Sequence, residues 1–100
     1  MNGKLPEVEP TAVLGRAGGV AWVTIGDEVV IYRVAGGASL VLNSTAGLLW
    51  QCLDGASPLA DIFDDLANAF AADRVEVEKD CFPLVSRWMA EQLVEEVVHG

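Results

Sequence analysis

Basic side chains are scarce in this chain: six Lys and Arg stand against fifteen Asp and Glu, leaving a formal charge of −9. The six (Lys4, Arg16, Arg33, Arg74, Lys79 and Arg87) are scattered. Nucleic-acid binding needs clustered cations to neutralise phosphates, so that role is disfavoured, and with it binding to anionic membrane surfaces. Histidine occurs once, at His99 beside the C-terminal residue. Without a second His or a Cys cluster, no transition-metal site has credible spacing. The two cysteines, Cys52 and Cys81, sit inside apolar helical patterns and read as buried reduced thiols. Cys52 has no sequence-local base to activate it. No apolar run approaches the roughly 18 residues of a spanning helix, and Met1–Glu7 lacks a signal core, so a cytoplasmic protein is expected. Gly36-Gly37 joins two strands and has no phosphate-loop context. Asp61, Asp64 and Asp65 fall on a helix, where they mark a solvated face rather than a calcium site. Catalysis by this chain alone has little support, and no metal or cofactor is expected.

What is present is an apolar share of 52% in 100 residues, enough for one small domain with its own core. Residues 1–19, rich in Pro, Gly and small side chains, read as a flexible N-terminal tail, with a short strand or a packed segment at Val13-Leu14 as the weaker alternative, and the domain is placed at 20–98. Val20–Ile25 is dense in β-formers and ends at the turn pair Gly26-Asp27. Glu28–Val34 is a second strand, joined to the first by a tight hairpin. After Ala35-Gly36-Gly37, a third strand covers Ala38–Leu42, which completes a three-stranded antiparallel meander.

At Asn43 the apolar period switches from two to about 3.6. Asn43 or Ser44 can cap a helix carrying Ala46, Leu49, Trp50 and Leu53, closed by Asp54-Gly55. Ser57 as cap and Pro58 at the first position start a second helix, whose apolar face is Leu59, Ile62, Phe63, Leu66 and Phe70. Asp73 is a candidate cap for a third helix through Val77, Cys81, Leu84, Val85 and Trp88. Pro83 lies inside that pattern, so the helix either kinks there or begins near Asp80. Leu93-Val94 and Val97-Val98 read as a last turn or a short strand.

The run Leu40-Val41-Leu42-Asn43-Ser44-Thr45-Ala46-Gly47, followed by Leu49-Trp50 and Leu53-Asp54-Gly55, resembles the PqqD-like family, also called the RiPP recognition element. The similarity continues through Ile62, Leu66 and Phe70, then Val77-Glu78-Lys79-Asp80, and on to the aliphatic pair Leu93-Val94. Three positions depart from the family pattern: Ser44 stands at a common proline, Gln92 at a usual helix-ending glycine, and Pro83 interrupts the last helix. The resemblance implies an α+β, winged helix-turn-helix-like fold, a three-stranded antiparallel sheet followed by three helices. It also implies a non-catalytic module that captures the leader segment of a ribosomally made precursor peptide by strand addition and presents it to a modifying enzyme. A radical SAM enzyme, a leader peptidase and a cyclase are the partner classes it suggests.

In such a module the guest adds to the third strand, in the cleft beside the third helix. An edge strand offers free N–H and C=O groups, and Ala38–Asn43 contains no Lys, Pro or bulge to blunt it. Ser39, Leu40, Val41 and Leu42 are therefore candidate peptide contacts. Alternation turns Leu40 and Leu42 toward the core and Ser39 and Val41 away, or the reverse. From the helix, Phe82, Val85, Ser86 and Met89 share a flank that can line the cleft, and Lys79 can reach acidic leader residues. An unprotected edge would also allow a homodimer. Two rival functions are a helix-turn-helix transcriptional regulator and a regulatory subunit of a neighbouring enzyme without peptide cargo. The acids Glu76, Glu78 and Asp80 on the third helix weigh against the first.

Overall fold

A computed structural model describes residues 8–37 and 39–97. Met1–Glu7, Ala38, Val98 and His99, all used in the sequence reading, lie outside the described residues. The α+β architecture has strands β1 (Val13–Arg16), β2 (Val20–Ile25), β3 (Glu28–Arg33) and β4 (Leu40–Leu42), helix α1 (Ser44–Cys52) and strand β5 (Asp54–Pro58). Helices α2 (Leu59–Phe70) and α3 (Arg74–Ala90) and strand β6 (Val94–Glu96) complete it.

The expected meander is one antiparallel sheet in the order β2-β3-β4, with Val23 opposite Val30 and Val30 opposite Val41. A second antiparallel sheet, order β5-β1-β6, was not anticipated. Its central strand comes from residues 13–16, whose composition reads as tail, yet Leu14 is fully buried. Two adjacent apolar residues, Val13 and Leu14, in a four-residue strand give no readable period, so composition does not separate this strand from a tail. The same N-terminal stretch closes helix ends elsewhere. The carbonyls of Ala12 and Pro10 accept from the first amides of α2, Leu59 and Ala60, each at 2.9 Å. Ser57 therefore does not cap α2, and Pro58 occupies the cap position itself. Arg16 donates to the carbonyls of Trp50 and Leu53, both at 3.2 Å, at the C-terminal end of α1, where a cation also suits the helix dipole.

Both other expected caps form: Asn43 Oδ1 accepts from Ala46 N at 2.9 Å, and the Asp73 carboxylate accepts from Val75 N at 3.1 Å. Because α3 begins at Arg74, Pro83 is interior to it. Its ring lies on the exposed side, where water can satisfy the Lys79 carbonyl that loses its amide partner. The core joins the helices to both sheets, and Trp50 packs edge-on against Trp88 with centroids 5.5 Å apart. No helix among the described residues is long and apolar enough to cross a membrane.

α3 ends in a left-handed residue. Gln92 has φ +61°, its N–H bonds to the Met89 carbonyl at 3.0 Å, and the Leu93 N–H reaches back to Trp88 at 2.8 Å. This is the bond pattern that favours glycine at the turning residue. Gln92, noted in the sequence as standing where glycine is usual, thus carries a side chain through a conformation that costs about 1 kcal/mol. Gln92→Gly is expected to raise unfolding stability by about 0.5–1 kcal/mol, read as a higher urea midpoint at unchanged slope.

Candidate functional site: the open edge of β4 and the cleft beside α3

Among the described residues β4 pairs on one side only, with β3, so its other edge is free. Where β4 begins, Ser39 and Leu40 wall a cleft of about 480 Å³ together with Ile31, Tyr32, Arg33, Glu91 and Leu93. Alternation accounts for Ile31, Arg33 and Leu40: Leu40 sits opposite Ile31 and shares its inward face. The Arg33 guanidinium donates to the Glu91 carbonyl and so ties the C-terminal end of α3 to the sheet at this end of the cleft.

Beyond the far end of β4 a second cavity, of about 170 Å³, lies between the start of α1 and the start of α3. Leu66, Phe70, Val77 and Cys81 give it an apolar floor, and Thr45, Glu76 and Asp80 stand at its rim. Burial, and then the charge of Asp80, push the Cys81 thiol up to about 11, so it stays protonated and serves as packing.

The two cavities lie along one flank of α3. Asp80, Leu84, Arg87 and Glu91 follow one another at helical spacing, with Asp80 in one cavity and Glu91 in the other. Leu84 and Arg87 thus fall between the two ends. Phe82, by contrast, packs edge-on against Phe63 of α2 at 4.9 Å. Of the residues singled out from sequence, Ser39 and Leu40 line the cleft. Val41 is exposed on the opposite face of the sheet, and Leu42 and Val85 are core. Phe82 is on the α2 side, Ser86 and Met89 share its flank by spacing, and Lys79 is exposed away from both cavities. A helical wheel gives α3 two equivalent flanks, and only the packing of α2 says which is taken. Glu76, Asp80 and Glu91, which line the two cavities, read in the sequence as an ordinary wet face.

The outward side of the β2-β3-β4 sheet is also apolar: Val23, Ile25, Tyr32 and Val41 are each at least 42% exposed. A solvated sheet face normally alternates to polar residues, and here it does not.

Comparison with curated protein sequences yields no match. The chain is similar in structure to TbiB1, solved in complex with the TbiA(beta) leader peptide. The TM-score is 0.72 at 23% identity, and the alignment covers 81% of this chain and 94% of that one, which shows a shared fold. The family described as coenzyme PQQ synthesis protein D (PqqD) matches residues 28–94, from the start of β3 to the first residue of β6. With that match spanning most of its length, the chain belongs to the PqqD family.

Proposed function

We propose that this protein is a non-catalytic module that captures the leader segment of a ribosomally made precursor peptide and holds it for a modifying enzyme. The observation that carries the reading is the vacant edge of β4 beside an apolar-walled cleft. An extended guest gains main-chain hydrogen bonds along that edge, while side chains on its inward face enter the cleft and supply selectivity. Family membership and the shared fold with a protein solved in complex with a leader peptide support leader-peptide capture.

Presentation needs a second surface, and the apolar outer face around Val23, Ile25 and Val41 is suited to hold a partner while the edge holds the peptide. The partner classes are those that act on leader-bearing precursors: a radical SAM enzyme, a leader peptidase or a cyclase, all in the cytoplasm. The module contributes by raising the local concentration of substrate at the enzyme's site. A second copy pairing at the same edge would compete with the peptide. A DNA-reading role is not favoured, since the exposed side of α3 carries Glu76 and Asp80, which repel phosphate.

Hydrogen exchange tests the proposal. Synthetic leaders of precursors encoded beside this gene are expected to slow amide exchange in Ser39–Asn43 at least about tenfold at saturation, as new ladder bonds form. Unchanged exchange in that segment, with every such leader, would defeat the reading.

A further inference from the structure

The two cavities along α3 differ in chemistry. Around Leu40 the apolar walls are Ile31, Leu40 and Leu93, beside Tyr32 and Ser39; a single acid, Glu91, lines it, and its one guanidinium, Arg33, is engaged by the Glu91 carbonyl. At the Thr45 end the floor is again apolar, with Phe70 42% exposed, but the rim is Glu76 and Asp80. These carboxylates stand four residues apart on one helix face, a like-charge spacing that works against the helix. Two basic residues lie close in sequence: Arg74, which is committed to Asp64 and Glu78, and the exposed Lys79, next to Asp80; among the described residues neither pairs with Glu76 or Asp80. A long side chain with an aliphatic stem and a positive tip satisfies both parts of this groove, its stem on Phe70 and Val77 and its tip between the carboxylates.

Resting on the strand-addition reading above, we propose that the captured segment carries a Lys or Arg about five residues before a bulky apolar residue. The spacing comes from the helix: Asp80 to Glu91 spans about 16 Å at the α-helical rise, which an extended strand covers in about five residues. The order comes from the sheet. Both pairings within it are antiparallel, and antiparallel addition is the more stable per residue. β4 runs from the apolar end toward Thr45, so an antiparallel guest meets the acidic end first and the apolar end second. The chain's charge of −9 acts in the same direction, drawing a basic segment at long range.

The test is selection of a displayed random 14-residue peptide library on the full chain, repeated on the E76Q/D80N double variant. Wild type is expected to enrich a basic residue four to six positions before an aliphatic or aromatic one. Changing that basic residue to Gln in a selected peptide should weaken binding to wild type about three- to fivefold, the scale of a partly exposed ion pair. The variant should keep the apolar anchor and lose the basic preference. The Gln-substituted peptide on wild type decides the matter even if the variant folds poorly. Selected peptides that protect Ser39–Asn43 but show no basic preference, or the reverse order, would overturn this proposal and leave strand addition standing. No enrichment, or enrichment without protection of that segment, would overturn both.

Discussion

Leu40→Asp is expected to weaken binding of any peptide that protects the β4 amides by about 30-fold or more, roughly 2 kcal/mol, measured by calorimetric titration. Leu40 is 37% exposed at the cleft wall, opposite Ile31 on the inward face. In the free protein a carboxylate there still reaches water, so the fold should lose less than about 1 kcal/mol. Once a peptide covers the cleft, the same carboxylate must give up its water, the Arg33 guanidinium in that cleft being already bonded to the Glu91 carbonyl, and an apolar contact is lost as well. Val41→Asp is the control. Val41 lies next door but on the outer face, 55% exposed, and its replacement should change peptide affinity less than about threefold. Equal losses at the two positions would mean that the inward cleft is not what reads the peptide. If the outer face docks an enzyme, Val41→Asp should instead weaken that second association.

Removing residues 1–19, the segment whose composition marks it as a tail, is expected to abolish cooperative thermal unfolding. β1 is the middle strand of the β5-β1-β6 sheet, so its loss separates the other two strands. Burial of Leu14 alone stabilises by about 1.5–3 kcal/mol. The first amides of α2 lose the Pro10 and Ala12 carbonyls, and the end of α1 loses Arg16. A domain of this size holds on the order of 5–10 kcal/mol in all, so these losses together approach the whole. A deletion ending at Glu7 keeps every contact named here and should melt as the full chain does. A shorter protein starting at Val20 that still unfolds cooperatively, within a few degrees of the full chain, would contradict this account of β1.

Much of the architecture is legible because local signals agreed with one another. The hairpin at Gly26-Asp27, the Asn43 and Asp73 caps and the apolar periods of α1 and α2 each rest on residues within one turn or strand. Leu40 and Ser39 were legible as cleft residues for the same reason, since an unblunted strand followed directly by a capped helix restricts where the chain can go. A helix with apolar residues on three sides offers two flanks that sequence cannot rank, and Phe82, Ser86 and Met89 are on the one that packs toward α2, as the contact of Phe82 with Phe63, nineteen positions away, shows.

Composition and order by themselves determined that this is one acidic α+β domain with strands first, helices after, and an unguarded stretch at Ser39–Leu42. Those are properties of neighbours along the chain, written in turn chemistry, caps and periodicity. Tertiary structure alone decided that Leu14 is core, that β4 is an edge among the described residues, and that Glu76, Asp80 and Glu91 line cavities while Phe82 packs against α2. Each of these depends on which distant surfaces meet, and a linear pattern records a residue's own face without naming the partner that will cover it.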